Sequence, residues 1–171
     1  NLLLFRMESN MSIHTDIAIV GSGAAGLFCA LKLPADRQIT VITKEEADRS
    51  DSFLAQGGIC VLKDESDYDS YFEDTMKAGH YENRKESVEI MIRSSTGIIE
   101  ELTDLGVKFE REGGSLRYTR EGGHSDSRIL FHEDATGKEI ASRLLERVGE
   151  RYTTIAVPSP ENFRKSILRE E

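Results

Sequence analysis

The feature that most restricts the fold is a glycine-rich segment directly after a short apolar run. The sequence GSGAAG occupies residues 21–26 and follows DIAIV at residues 16–20. An apolar run of this length is typical of a buried parallel strand. Residues 24–33 contain no β-branched residue and predict a helix, which Pro34 ends. A strand, a tight turn and a helix in this order predict a turn whose backbone comes close to a phosphate group.

A second β-branched run, ITVIT at residues 39–43, predicts the next strand of a βαβ unit. In such units Gly21 permits the tight turn, Gly23 lets the backbone approach a pyrophosphate, and Gly26 lets the helix pack close to the strand. The positions between these glycines are Ser22, Ala24 and Ala25. The turn alone does not distinguish NAD from FAD, and a glycine-rich turn without a ligand is the alternative.

The end of the second strand departs from the usual dinucleotide-binding pattern. A carboxylate that binds a ribose is expected there, about 20 residues after the turn. Thr43 and Lys44 stand at this place, and Glu45 and Glu46 follow them. From the residues alone, either Lys44 contacts the cofactor or a neighbouring glutamate binds the ribose.

Three segments together resemble the flavoprotein family of succinate dehydrogenase, fumarate reductase and L-aspartate oxidase. They are residues 16–26, Lys44, and AQGGI at residues 55–59, and the resemblance extends from about residue 16 to residue 148. It implies a Rossmann-like α/β fold with a parallel sheet, FAD as cofactor, and a cofactor contact for Lys44. The residues it implies at the cofactor are Gly21, Ser22, Gly23, Ala24, Ala25, Gly26, Thr43, Lys44, Asp51, Ser52, Phe53, Leu54, Ala55, Gln56, Gly57 and Gly58.

Two details distinguish branches within this family. Its respiratory members carry a histidine bonded covalently to the flavin, and Asp51 takes that position here, so we expect non-covalent FAD. The stretch TREGGHS at residues 119–125, followed by DATG at residues 134–137, is similar to the aspartate-oxidising members. The respiratory members have an uncharged residue where Glu121 stands.

Glu121 suits an aspartate-binding site chemically. L-Aspartate is succinate with an added ammonium group, and a carboxylate can hold that group by a charge-assisted hydrogen bond. We therefore predict that Glu121 contacts the substrate amino group and that His124 forms a hydrogen bond near the substrate or flavin. A solvated surface glutamate is the alternative, because most glutamates are exposed.

The resemblance implies oxidation of L-aspartate to iminosuccinate in the cytoplasm, the first step towards quinolinate and NAD. A hydride passes to the flavin, and oxygen or fumarate reoxidises it. Contact with quinolinate synthase is also expected. Two alternatives remain open: a soluble fumarate reductase or succinate oxidase, and a non-catalytic FAD-binding module.

Composition weighs against several other classes of protein. The net charge of −9 and the lack of a basic segment argue against binding to nucleic acid or to an anionic membrane. No apolar run approaches the roughly 20 residues of a membrane span. Cys29 and Cys60 form no CxxC pair, and His124 and His132 lack the spacing of metal ligands, so no metal site is expected.

For the domain organisation, we expect a non-native leader at residues 1–15, with translation starting at Met7 or Met11. Residues 16–148 are predicted to be the N-terminal part of the FAD-binding domain, with a weakly matched tail at residues 149–171. The arginine that handles the proton in this family lies beyond the matched range. We therefore expect a truncated or frame-shifted chain that is inactive and poorly soluble, with an incomplete sheet and an exposed strand edge.

The remaining periodicity predicts further helices and short strands. The apolar spacing of residues 88–105 predicts a helix that Gly97 could divide into two pieces. Two short strands are expected on either side of Gly113 and Gly114. These two strands are residues 107–110 and 116–119, and the other predictions are helices at residues 67–79 and 137–148 and a strand at residues 153–157.

Overall fold

The computed structural model describes residues 3–7, 14–151 and 154–158. The chain divides into two compact units, the first comprising Asn1–Ala55 with Gly137–Glu171 and the second Gln56–Thr136. In chain order the elements are β1 (Leu3–Met7), β2 (Ile17–Val20), α1 (Ala24–Lys32), β3 (Ile39–Ile42), α2 (Asp51–Leu54), β4 (Ile59–Cys60), a 3-10 turn (Glu65–Asp67), α3 (Tyr68–Ala78), α4 (Lys85–Asp104), β5 (Arg111–Glu112), β6 (Ser115–Leu116), β7 (Ile129–Leu130), α5 (Thr136–Arg151) and β8 (Thr154–Pro158).

The first unit contains a parallel sheet with the strand order β1-β8-β3-β2. β2 and β3 pair from Ile17 opposite Ile39 to Val20 opposite Ile42, and α1 connects them. This is the predicted βαβ unit, and the predicted α/β fold with a parallel sheet is confirmed. β1 lies within residues 1–15, for which the sequence predicts a leader; the domain boundaries at residues 15 and 148 stay predictions.

β2 is an outer strand of this sheet, and its exposure corrects one expectation. The sequence predicts a strand buried on both faces, but Val20 is 62% exposed and Ala18 is exposed as well. Within the described ranges no strand pairs with the second edge of β2. β3, which has a neighbour on each side, buries Ile39 and Val41. The exposed edge agrees with the expectation of an incomplete sheet.

Both longer helices of the first unit bury one apolar face. α1 buries Leu27 and Ala30, which are one turn apart. α5 buries Ile140, Leu144 and Val148 at intervals of four residues.

The second unit has its core between the helices α3 and α4. Leu62, Tyr71, Met76, Val88 and Ile92 form one buried cluster. α4 runs without interruption through Gly97, so the division considered from the sequence does not occur. A glycine costs a helix only about 1 kcal/mol, and α4 buries apolar side chains both before and after it.

A β-hairpin forms around the predicted glycine pair, with bounds that differ from the expectation. β5 and β6 pair in antiparallel fashion across Gly113 and Gly114, which have φ angles of 58° and 87°. Two consecutive positive φ angles match the backbone twist of a tight hairpin, which favours glycine at both positions. Val107 and Phe109 are buried but lie outside any strand, so the predicted strand at residues 107–110 is wrong.

None of the described helices is long and apolar enough to cross a membrane.

Candidate functional site

The glycine turn of the first unit is held tightly against the sheet. The backbone N–H of Gly21 donates to the carbonyl oxygen of Ile42 at 2.7 Å, and Gly21 has a φ angle of 109°. A Cβ at Gly26 would overlap the carbonyl oxygen of Gly21. Only glycine therefore fits position 26, and the positive φ at position 21 strongly favours glycine.

A serine from another part of the chain lies at the start of α1. Gly23 is the N-cap residue of this helix and has no side chain to cap it. The Oγ of Ser52 accepts a hydrogen bond from the backbone N–H of Ala24 at 3.1 Å. A Cβ built on Gly23 would lie 3.1 Å from the same oxygen. The structure thus brings Ser52 together with Gly23 and Ala24 at the start of α1.

Two buried hydroxyl groups connect the turn with the end of β3. The Ser22 hydroxyl lies 3.2 Å from the Thr43 hydroxyl, which in turn donates to the carbonyl oxygen of Glu45 at 3.0 Å. Ser22 and Thr43 are both buried, whereas Lys44 and the two glutamates after it are exposed. Lys44 therefore lies two positions after the end of β3 and next to Thr43, the residue bonded to the turn.

The segment from residue 51 to residue 55 packs against the first turn of α5. A Cβ at Gly137 would overlap the carbonyl oxygen of Ser52, and the N–H of Gly137 donates to the carbonyl oxygen of Ala55 at 3.0 Å. Sequence reasoning assigned Gly137 only to the beginning of a helix. A glycine inside the first helical turn is itself a signal of close backbone packing, since glycine is a poor helix former. The remaining predicted cofactor residues of this segment are Asp51 and Leu54, which are exposed, and Phe53, which is half-buried.

In the second unit, Glu121, whose carboxylate is predicted to contact the substrate, lies beside the glycine pair Gly57 and Gly58. A Cβ at Gly57 would lie 3.4 Å from the Oε2 of Glu121. A Cβ at Gly58 would overlap Ile129 and Leu130 of β7, so Gly58 has a packing requirement of its own. Gln56 is exposed at the start of this unit. The backbone of Gly57 and the carboxylate of Glu121 are therefore close to each other in the second unit.

His124 lies at the centre of a polar network. Its Nε2 is 3.2 Å from the Sγ of Cys60, and its Nδ1 is 3.1 Å from the Nη1 of Arg128. The imidazole also meets the ring of Tyr71 edge-on at a centroid distance of 6.0 Å.

Arg128 is the residue that sequence reasoning missed as part of the site. Its side chain is fully buried and forms ion pairs with Asp67 at 2.8 Å and Asp74 at 2.7 Å. Nη2 also donates to the Ser70 hydroxyl at 2.7 Å. Arg128 directly precedes the buried apolar pair Ile129 and Leu130, and a buried arginine requires counter-ions. Asp67 and Asp74 are seven positions apart on a predicted helical stretch, so they share one face. That combination was the available signal.

The surroundings change the acidity of several groups in this network. Burial raises the pKa of the Cys60 thiol, and the negative charge of Glu121 adds to the increase. Burial also raises the pKa of Tyr71, whose hydroxyl forms a hydrogen bond with Cys60. Burial opposes ionisation of Asp74, but hydrogen bonds from Ser125 and Arg128 outweigh it, and the net result is a lowered pKa. At neutral pH the network therefore combines a neutral thiol with an ionised Asp74.

A cavity of about 550 Å³ lies beside this network in the second unit. Its lining is largely apolar, with a few polar groups from Cys60, Asp74 and His124. A mostly apolar cavity with few convergent polar groups is the usual form of a small-molecule site. The other lining residues that bear on the site are Gly58, Tyr71 and Gly123.

Curated proteins provide close sequence relatives. The L-aspartate oxidase of Clostridium perfringens is 43% identical over 136 residues, covering 80% of this chain and 31% of that protein. The L-aspartate oxidase of Clostridium acetobutylicum is 44% identical over 142 residues, covering 82% and 33%. The chain thus spans about a third of the length of these curated relatives.

Solved structures show the same fold. Sdh1 of Mycobacterium smegmatis in complex with UQ1 has a TM-score of 0.73 at 23% identity and covers 84% of this chain and 27% of that chain. Quinol fumarate reductase FrdA of E. coli has a TM-score of 0.74 at 25% identity and covers 89% and 25%.

The residues of the glycine turn fit FAD, because Gly21, Gly23 and Gly26 stand at the three glycine positions of a pyrophosphate-binding turn, and a Cβ at Gly26 would overlap the Gly21 carbonyl oxygen. A family profile described as FAD binding domain matches residues 16–159. That match covers most of the sequence, and FAD is the cofactor it indicates. The chain therefore belongs to the FAD binding domain family.

Proposed function

We propose that this chain forms the FAD-binding part of an enzyme that oxidises L-aspartate to iminosuccinate. The observation that carries the proposal is the position of Glu121, whose carboxylate lies against Gly57 in the segment expected along the flavin. The relatives named L-aspartate oxidase, which are 43% and 44% identical, support it. Bound FAD would supply the hydride acceptor for this oxidation.

In this proposal the first unit holds the cofactor. The turn from Gly21 to Gly26 approaches the pyrophosphate, and the N-terminus of α1 faces its negative charge. Thr43 and Lys44 bind beside the turn, and Ser52 orients the start of α1 through Ala24. The segment from Asp51 to Ala55 lines the flavin. The covalent link of the respiratory members requires a histidine nitrogen. Asp51 stands at that position here, so the cofactor is held without a covalent bond.

Glu121 recognises the substrate in the second unit. Its carboxylate accepts a hydrogen bond from the ammonium group of L-aspartate, which succinate lacks. A site that provides a charged partner for an amino group rejects an analogue without it, because the carboxylate then loses its partner. Because Gly57 has no side chain, nothing of residue 57 stands between its own backbone and the Glu121 carboxylate.

Two alternatives make different predictions. The fold similarity to fumarate reductase FrdA favours a succinate- or fumarate-converting enzyme, but the negative charge of Glu121 weighs against it. A non-catalytic FAD-binding module would bind the cofactor without reduction by either acid. The proton-handling arginine is not supplied by Arg128, since Asp67 and Asp74 occupy its guanidinium.

The wider role follows from the same proposal. Oxygen or fumarate would serve as the final electron acceptor, and the product would lead towards NAD through quinolinate. The location is the cytoplasm, with contact to quinolinate synthase. Each of these points stays a proposal.

A chimera tests the activity directly. The matched residues of the Clostridium perfringens relative are replaced by those of this chain, and flavin absorbance is followed without oxygen after addition of L-aspartate or succinate. We expect reduction by L-aspartate, and loss of this preference in Glu121→Gln but not in the neighbouring control Arg120→Gln. A chimera that binds FAD but is reduced by succinate supports the first alternative. Reduction by neither acid supports the module.

A further inference from the structure

The contacts of Arg128 determine the protonation pattern of its neighbour His124. The Nε of Arg128 donates to Asp67, Nη2 donates to Asp67 and Ser70, and Nη1 donates to Asp74. Nη1 also lies 3.1 Å from the Nδ1 of His124. A guanidinium has donors only and no acceptor, so Nδ1 must be the accepting nitrogen in this contact.

A neutral imidazole that accepts at one nitrogen carries its proton on the other. The Nε2 of His124 is therefore the protonated nitrogen, and it lies 3.2 Å from the Sγ of Cys60. A thiol sulfur is only a weak acceptor. The raised pKa of Cys60 keeps this sulfur neutral, so the N–H has a weak partner at the lining of the cavity.

We propose that Arg128 is a positioning residue that holds His124 in the neutral Nε2–H form, and that this N–H donates to a carboxylate oxygen of the substrate. Cys60 is the partner of the N–H when no substrate is bound. The second half of this inference rests on the proposed function, because it takes a dicarboxylate such as L-aspartate as the ligand. The first half rests only on the geometry of the network.

The rigidity of Arg128 makes it suitable for this role. Its side chain has no exposed surface, and carboxylates hold it on two sides. The ring of Tyr71 lies 5.0 Å from the guanidinium carbon and covers one face. Each of these contacts restricts the rotation that would turn Nη1 away from His124.

Nitrogen NMR of the isotope-labelled chain tests the protonation pattern. The ring signals of His124 are assigned by their loss in His124→Asn. We expect an unprotonated Nδ1 and a protonated Nε2 at neutral pH. In the double variant Asp67→Asn with Arg128→Gln, which removes both charges of the most deeply buried ion pair, we expect a mixture of both tautomers. A protonated Nδ1 in the unmodified chain would overturn the inference whether or not the double variant folds.

L-Aspartate titrated into the FAD-loaded chain tests the donor role. We expect the Nε2–H signal of His124 to shift on titration. His124→Gln, whose amide nitrogen can occupy the place of Nε2, should bind L-aspartate less than about threefold more weakly. His124→Asn, whose oxygen can replace only Nδ1, should bind about tenfold more weakly. Equal affinities for the two variants, or an unchanged signal with the tautomer intact, would overturn the donor role. The reduction of the chimera by L-aspartate decides the proposed function separately.

Discussion

The Oγ of Ser52 accepts a hydrogen bond from the backbone N–H of Ala24 at 3.1 Å, although the two residues are 28 positions apart. Because the N-cap residue Gly23 has no side chain, this contact replaces an ordinary helix cap. The start of α1 and the segment around α2 are thereby connected at the glycine turn. Ser52 therefore has a structural role at the start of α1 and also lies at the proposed cofactor site.

Ser52→Ala should lower the free energy of unfolding by about 1 kcal/mol, the usual effect of losing an N-cap acceptor. Urea denaturation followed by circular dichroism measures this change. Ser94→Ala is the matched control, because the exposed Ser94 hydroxyl bonds only to its own helix. Equal stability of the two variants would contradict the capping role of Ser52.

Two glycines that look alike in the sequence should respond oppositely to alanine. Gly26→Ala forces a Cβ onto the carbonyl oxygen of Gly21 and should destabilise the chain by at least about 2 kcal/mol. Gly97→Ala meets no atom within 4 Å and should stabilise α4 by about 0.5–1 kcal/mol. Thermal and urea unfolding measure both changes. A Gly26→Ala variant as stable as the parent would show that α1 does not pack closely on the turn.

Asp74 should contribute stability that disappears in acid. Its pKa is lowered in the folded chain, so its contribution is complete above the ordinary aspartate value of about 4 and is lost as the pH falls below it. Asp74→Asn should cost about 2–3 kcal/mol at neutral pH, since a hydrogen bond to a charged group is lost. The free energy of unfolding of this variant should also fall less steeply between about pH 5 and pH 2. Asp36→Asn, in an exposed loop, is the control, and parallel pH curves for Asp74→Asn and the parent would contradict the prediction.

The two cysteines should react with thiol reagents at different rates. Cys29 is exposed, whereas burial and the charge of Glu121 raise the pKa of Cys60. Since the thiolate is the reactive form, iodoacetamide should label Cys29 first at neutral pH. Labelling of Cys60 in a Cys29→Ser variant should increase only above the ordinary thiol pKa of about 8.5. Rapid labelling of Cys60 at neutral pH would indicate a thiolate paired with a protonated His124, contrary to the tautomer inferred above.

Most of the first unit could be predicted because its signals are local. The apolar run before Gly21, the glycine spacing and the β-branched run before Lys44 each specify a neighbouring piece of backbone. The burial of β2 could not be predicted in this way. Exposure of Val20 depends on which strands pair with β2, and an apolar run does not contain that information.

The network of the second unit lay beyond local reasoning for a different reason. Glu121 and His124 could be proposed from one stretch of sequence, but Arg128 acquires its role from Asp67 and Asp74, which are more than 50 positions away. Gly58 was assigned to the flavin, whereas its contact with β7 gives a packing reason for the same residue. A glycine can meet both requirements, and the sequence alone cannot separate them.

The measurement that tests the central claim most directly is a titration of FAD into the chain and two glycine variants, followed by flavin fluorescence. A Cβ at Gly23 would lie 3.1 Å from the movable hydroxyl of Ser52, so Gly23→Ala should fold while its backbone can no longer approach the pyrophosphate. We predict saturable binding by the parent and by Gly97→Ala, and at least about tenfold weaker binding by Gly23→Ala, a difference of about 1.4 kcal/mol. Equal binding by folded Gly23→Ala and the parent, or no binding by the folded parent, would contradict the account.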